Sequence, residues 1–306
     1  MNRLLQAIDR HVRPALPAER LSALRMLVGA FAVVYLLARV VNLTGFGSFN
    51  PAGFRPIGVI TALGTTPLSG SVVILQYVAC VLSGIAFLTG WRYRIFGPLF
   101  AALLLWVLTY RNSWGMIFHT ENLMVLHVMV LGLSRAADVG SLDARAGRSA
   151  PARDLRRYGW AIRLMAWIAV VAYMLAGIAK LRLIGADWMT GDILRNYIAD
   201  DNLRKLELGD FYSPIGAWLV GHGWVFPPLA FFTVIVELAG PVAFLGPWFA
   251  RVWALLAWGF HVGVLAVMAI FFPYPLFGFA YAPLFAVERL PVLRRLTGLQ
   301  PAPSDS

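Results

Sequence analysis

Long uncharged hydrophobic runs recur along the chain and predict an all-α integral membrane protein. A transmembrane helix needs about 20 consecutive apolar residues. Seven runs approach or exceed that length, at residues 21–43, 71–90, 95–110, 116–134, 160–183, 224–245 and 252–272. An eighth run, at residues 274–287, is shorter and contains Pro275 and Pro283, so its length alone favours a re-entrant or strongly kinked segment.

Composition and charge set the predicted topology. The chain is 59% hydrophobic and 13% charged, with a mean hydropathy of +0.71, which excludes an ordinary soluble domain. The net charge of +11 does not indicate nucleic-acid binding, because the basic residues lie between the apolar runs, as in positive-inside membrane proteins. If the amino terminus is cytoplasmic, the outer segments carry only Arg55 and Arg111 before a loop at residues 185–223, where three basic residues are balanced by six acidic ones. This asymmetry requires an even number of crossings. We therefore predict a bundle of eight helices with both termini cytoplasmic, in a bacterial cytoplasmic membrane.

Two polar segments between the runs differ in pattern. Residues 135–157 are rich in Ala, Gly, Ser and Arg and predict a flexible linker between two four-helix halves. In the outer loop, apolar residues recur at helical spacing, which predicts an amphipathic helix on the outer surface; they are Ile193, Leu194, Tyr197, Ile198 and Leu203. We assign residues 1–300 to one membrane domain and residues 301–306 to a disordered tail.

Lys180 is the most informative polar residue, because it follows an uncharged run at residues 164–179. A lysine at the bilayer centre costs about 2.5–3.5 kcal/mol, so it either extends to the headgroups or is held inside and used. In the second interpretation its amine is desolvated and serves as a base. His119 and Glu121, at the start of the fourth predicted helix, and His261 on the seventh would line the same outward-facing cavity.

Other residues complete this candidate site. Trp114 and Trp188 flank the outer ends of predicted helices that carry the polar groups, and an aromatic wall suits a flat ring ligand. Glu237 precedes a proline and is either a partner within a kinked helix or an acid. His127 is interpreted as a hydrogen-bonded packing residue. No metal is predicted, because the histidine and glutamate of the fourth helix lie about 200° apart around its axis, with no further ligand at i+4.

Three stretches carry a resemblance to a known family. They are Asn-Ser-Trp at residues 112–114 with His119 and residues 136–143; Ala-Gly-Ile-Ala-Lys-Leu at residues 176–181 with Ala-Asp-Trp at 186–188; and Gly-Phe-His at 259–261 with Phe-Phe-Pro-Tyr at 271–274. In this order and at these intervals the chain resembles the membrane part of the vitamin K-dependent gamma-carboxylases. These belong to the family of horizontally transferred transmembrane domain (HTTM) proteins.

The resemblance implies a hydroquinone chemistry. Lys180 would be the base that deprotonates a reduced vitamin K-type quinone, and His119 would support it. Oxygen would then add to give a strong alkoxide base and, as by-product, an epoxide. That base would take a proton from a glutamate side chain, and the carbanion would capture carbon dioxide. We predict that the quinol or substrate is bound by Trp114, Glu121, Asp187, Trp188 and His261.

The chain also departs from the family pattern. It has Ala179 and Lys180 where carboxylases have paired lysines, Phe118 where they have an asparagine before the histidine, and a longer link at residues 182–185. Carboxylases carry a large soluble domain after the membrane part, whereas this sequence ends at Ser306. We therefore expect hydroquinone handling and leave carboxylation of a protein substrate open.

Two other function classes remain open. The first is a non-catalytic accessory membrane protein for maturation or export of a small secreted peptide, which predicts a peptide or a separate soluble subunit as partner beside membrane lipid, and no quinone. The second is a transporter, which broken helices permit. The absence of two halves with matching breaks argues against an inverted-repeat carrier.

Overall fold

The fold is entirely helical in the part of the chain that the computed structural model describes, residues 3–115 and 117–297. The predicted all-α class is therefore confirmed. Residues 301–306, predicted as a disordered tail, lie outside the described residues. The chain divides into two compact units, which we call unit 1 (Met1–Met165 with Ala286–Ser306) and unit 2 (Ala166–Phe285).

The described helices of seven residues or more are labelled in chain order. They are α1 (Arg3–Val12), α2 (Ala18–Ala38), α3 (Gly70–Thr89), α4 (Tyr93–Asn112), α5 (Asn122–Gly132), α6 (Arg156–Leu183), α7 (Asp192–Glu207), α8 (Pro214–Val220), α9 (Phe226–Leu238), α10 (Pro247–Met268) and α11 (Pro291–Thr297). Shorter α-helices are Val40–Thr44, Gly58–Ala62, Leu142–Arg145 and Pro273–Leu276. Turns of 3-10 helix are Gly45–Ser48, Pro51–Gly53, Gly185–Thr190, Gly223–Val225, Gly240–Phe244, Phe279–Leu284 and Val287–Arg289.

Several helices are long and apolar enough to cross a membrane. Among the described residues these are α2, α3, α4, α6 and α10. The count becomes six if α8 and Gly223–Leu238, which meet at a bend of 103°, form one broken span. Apolar side chains on these helices are exposed, for example Leu75 at 67% and Leu255 at 65%, as expected for helices whose outer faces contact lipid tails. The chain is therefore a multi-pass membrane protein.

The eight-helix count is not confirmed by the described helices. α5 has 11 residues, whereas the sequence predicted a span at residues 116–134. The predicted eighth span forms only Pro273–Leu276 and Phe279–Leu284, because its prolines lack the N–H that a continuous helix requires. The orientation of the termini stays a prediction.

The helix predicted in the outer loop is present as α7. Ile198 on this helix is almost fully buried, whereas Tyr197 and Leu203 are each 55% exposed. Only part of its predicted apolar face therefore packs within unit 2.

Close helix contacts organise unit 1. α3 packs against α2 and α4, and α4 packs against α5. A Cβ on Gly97 would lie 2.7 Å from the carbonyl oxygen of Gly132, so α4 and α5 touch through their backbones, as small residues permit in membrane helices. Nε2 of the fully buried His127 lies 3.0 Å from the carbonyl oxygen of Met165, which confirms its interpretation as a packing residue.

Arg25 on α2 is fully buried and joins three segments of unit 1. Its Nε donates to the carbonyl of Ala136 at 3.0 Å, its Nη1 to Phe87 at 3.0 Å, and its Nη2 to Gly140 at 2.6 Å. Phe87 lies in the last turn of α3, whose carbonyls have no partner within the helix. The planar guanidinium, with its five donors, binds these carbonyls at the same time.

The segment at residues 135–157 is anchored, and the prediction of a flexible linker there is wrong. Asp143 is buried and accepts from the backbone N–H groups of Arg92 at 2.9 Å and Tyr93 at 2.7 Å. Burial by itself would raise the pKa of Asp143, but the hydrogen bonds from Tyr93 and Arg148 outweigh it and hold the pKa below its usual value. The boundary between the two units falls instead within α6.

Candidate functional site

Lys180 forms an ion pair with Glu237 inside unit 2. The distance between Lys180 Nζ and Glu237 Oε1 is 2.5 Å, and the side chains are 21% and 3% exposed, respectively. The other carboxylate oxygen, Glu237 Oε2, is buried and has no hydrogen-bond partner among the described residues. Lys180 therefore does not simply extend to the headgroups, and Glu237 keeps one oxygen available for a proton or a ligand.

Local sequence explains why these two side chains meet. Gly177 precedes Lys180 by one turn on the same face of α6, and a Cβ on Gly177 would lie 3.0 Å from Glu237 Cβ. α9 ends at Leu238, and a 3-10 turn containing Pro241 follows. The missing side chain lets α6 and α9 approach closely, and the proline terminates α9 just after the carboxylate.

Two aromatic rings flank the amine. Lys180 Nζ lies 4.9 Å from the ring centroid of Trp188 and 5.6 Å from that of Phe260. The indole N–H of Trp188 donates to the carbonyl of Ala230 and to the hydroxyl of Thr233, both at 3.3 Å. The cation therefore faces π surfaces, which attract it and which also suit a flat ring.

A cluster of buried polar side chains surrounds Tyr173, which lies two turns before Lys180 on the same face of α6. Tyr173 and Tyr281 share a hydrogen bond of 2.6 Å between their hydroxyl oxygens. The ring centroid of His261 lies 5.7 Å from that of Tyr173, and His261 is 8% exposed. Unit 2 thus contains Lys180, Trp188 and His261 of the predicted site. Asp187, in the 3-10 helix before α7, is exposed.

The remaining predicted residues lie in unit 1. Glu121 is buried, accepts from the Tyr35 hydroxyl at 2.8 Å, and pairs with Arg111 Nη2 at 3.0 Å. Arg111 Nη1 also donates to the Tyr35 hydroxyl at 2.9 Å, so the three side chains form a closed network. Trp114 packs in an aromatic cluster formed by Phe46, Phe49, Phe54 and Tyr110.

His119 is exposed and precedes α5, which begins at Asn122. The prediction that His119 lies at the start of the fourth helix is therefore wrong, whereas Glu121 is the residue immediately before α5. The Asn112 side chain explains the difference, because it binds both the N–H and the C=O of Phe118, at 3.3 and 2.9 Å, and holds the segment in a loop.

Family membership follows from a comparison with known proteins. The family model of the HTTM domain matches residues 13–288. The chain belongs to the HTTM family. The assignment to the HTTM family made from the three sequence stretches is confirmed. No curated protein and no solved structure matches it.

The pairing of Lys180 with Glu237 was missed at the sequence level. Both residues were identified as ionisable groups within spans, but they are 57 positions apart, and periodicity within one helix does not report contacts between helices. One signal was present in the sequence. Lys180 follows Gly177, which permits close helix packing, and Glu237 precedes Pro241, which ends its helix. Among the described residues of this HTTM chain, no three His, Cys, Asp or Glu side chains are placed to hold a metal ion.

Proposed function

We propose that this HTTM chain is a membrane enzyme that binds a hydroquinone in unit 2 and uses the Lys180 amine as its base. The proposal rests on the contact of 2.5 Å between Lys180 and the buried carboxylate of Glu237. Buried ion pairs contribute little to stability compared with apolar residues of the same volume, and ionisable residues inside a membrane are costly. Chemistry is a better reason than stability for keeping this pair.

Proton transfer within the pair gives the amine its two roles. One proton rests either on the amine, which leaves a carboxylate, or on the carboxyl group, which leaves a neutral amine. In the neutral form the lone pair of Lys180 accepts the hydroxyl proton of the quinol, so that the pair then holds two protons. One of these two protons passes to the oxygen atom that leaves as water, which returns the pair to its starting state. Positioned acid–base groups of this kind accelerate reactions by about 10²–10⁴-fold.

The surroundings of the pair suit this substrate. The rings of Trp188 and Phe260 offer flat apolar surfaces beside the amine, and aromatic stacking favours a quinol ring. The hydroquinone supplies the electrons for reaction with dioxygen. One hydroquinone and one dioxygen give one quinone epoxide and one water, so no further reductant is needed.

The test is oxygen consumption and epoxide formation by the purified full-length protein supplied with vitamin K hydroquinone. We expect Lys180→Met to lower turnover by at least about 10²-fold. Arg182→Gln, which neutralises an exposed cation two residues further along α6, should keep full turnover. His119→Ala tests the second predicted catalytic residue separately. Full quinol-dependent turnover by Lys180→Met would show that the base assignment is wrong.

Binding is measured apart from turnover. We expect lipid extraction and mass spectrometry of the purified wild type to recover a bound quinone, and we expect Lys180→Met to retain it because the aromatic rings remain. Absence of any quinone, together with absence of turnover and copurification of a small peptide, would instead support the accessory role.

A further inference from the structure

A basic cleft in unit 1 is independent of the site in unit 2. It has a volume of about 490 Å³ and lies between the start of α4, the end of α5 and the anchored segment after it. Polar lining residues include Arg92, Arg94, Arg135 and Arg148. Because α4 is long and apolar enough to cross a membrane and begins here, we expect the cleft to lie where the membrane core gives way to water.

The cleft carries more positive charge than its own acids neutralise. Of its two carboxylates, Asp138 is paired with Arg135 at 2.5 Å and Asp143 with Arg148 at 2.8 Å. Arg92 and Arg94 are exposed and have no ion-pair partner among the described residues. Two arginines therefore line the cleft without a carboxylate counterion among the described residues.

The backbone at Arg92 is held in an unusual conformation. Its φ is +43°, in the left-handed region that costs energy for a residue with a Cβ. The carboxylate of Asp143 holds it there by accepting the Arg92 N–H. Strain that surrounding contacts maintain is typical of binding sites, and here it fixes the position from which the guanidinium extends.

Apolar residues continue the cleft toward the membrane. Ile95 and Leu133 line it and are 59% and 68% exposed. One turn beyond Ile95, Leu99 is 41% exposed on the same helix face. A ligand that fits both parts needs an anionic end and a hydrocarbon end.

We propose that this cleft binds a phospholipid with an anionic headgroup, with the phosphate on Arg92 and Arg94 and an acyl chain along Ile95 and Leu133. Basic pockets at helix ends on the cytoplasmic side suit such headgroups, and arginine binds phosphate in bidentate geometry. The positive-inside pattern of the sequence also predicts that this cleft lies on the cytoplasmic side.

The test is native mass spectrometry of the full-length protein titrated with phosphatidylglycerol or with zwitterionic phosphatidylcholine. We expect tighter binding of phosphatidylglycerol, and we expect the double variant Arg92→Gln/Arg94→Gln to weaken it by at least about tenfold. Phosphatidylcholine should lose less affinity, because its choline cation already offsets the charge of its phosphate. The matched control is Arg153→Gln/Arg251→Gln, which removes the same charge from two exposed residues outside the cleft.

Three results would overturn the proposal. The first is equal binding of both lipids by the wild type, and the second is an equal loss in the control variant, which would indicate a general charge effect. The third is displacement of the lipid by inorganic phosphate at millimolar concentration, which would indicate an anion site without a hydrocarbon part. Circular dichroism and thermal unfolding check that each variant is folded, and Leu133→Asn supplies an independent variant that leaves the arginines in place and is expected to weaken the same lipid.

Discussion

At the scale of single residues, the strength of the Lys180–Glu237 contact depends on both partners being present. Glu237→Gln keeps the shape of the side chain but removes the charge, so the ammonium of Lys180 stays partly buried without its counterion. Removing one partner of a buried pair costs about 3–5 kcal/mol, and we expect a loss of stability at the lower end because Lys180 is 21% exposed. Thermal unfolding in detergent measures it. Glu207→Gln, an exposed carboxylate at the end of α7, is the matched control.

The double variant Lys180→Met/Glu237→Leu separates stability from chemistry. Replacing both partners by apolar residues of similar volume removes the uncompensated charge, so we expect unfolding to return to within about 1 kcal/mol of the wild type while quinol turnover stays absent. Turnover in the double variant would show that the pair is structural.

The sequence singled out Lys180 and left open whether its amine extends to the headgroups or is held inside, and it could not identify the partner. The free-energy cost of placing a charge in a membrane is assessed for each residue separately. For Glu237 it left two interpretations, a structural partner within a kinked helix or an acid. Contact between α6 and α9 depends on the absence of a side chain at Gly177, which the sequence shows only as a small residue near a lysine. The same holds for Glu121. The sequence showed an ionisable residue, but only the fold shows its hydrogen bonds with Tyr35 and Arg111.

At the scale of helices, the approach of α6 to α9 is the feature that can be tested most directly. In Gly177→Ala the new Cβ would lie 3.0 Å from both Glu237 Cβ and Leu238 Cδ2, closer than ordinary contact. Overpacking of this kind costs about 1–3 kcal/mol, and the displacement lengthens the ion pair, so we expect lower stability together with lower turnover. Gly259→Ala on α10 is the control, since nothing lies within 4 Å of its added Cβ. A normal melting temperature and normal turnover in Gly177→Ala would contradict the close approach.

At the scale of the whole molecule, hydropathy predicted the class of protein better than the number of crossings. α2, α3, α4, α6 and α10 were recognised because each is long and uniformly apolar. The remaining segments are apolar but interrupted: α5 is shortened by a loop that Asn112 holds, and residues 274–287 contain prolines that divide them into short helices. Interruptions of that kind follow from side-chain hydrogen bonds and ring constraints, which a hydropathy average does not detect.

Membrane topology is the last prediction, and it depends on whether α6 and the segments after it together cross the membrane an even number of times. The positive-inside pattern places both Ala150 and Leu290 in the cytoplasm, and Asn50 and Asp210 outside. Each is exposed, and the native Cys80 is buried, so single cysteines introduced at these positions are reactive against a low background. We expect a membrane-impermeant maleimide to label Asn50→Cys and Asp210→Cys in intact cells, and Ala150→Cys and Leu290→Cys only after permeabilisation. Labelling of Leu290→Cys but not Ala150→Cys in intact cells would establish an odd number of crossings between them, and labelling of Ala150→Cys would reverse the predicted orientation.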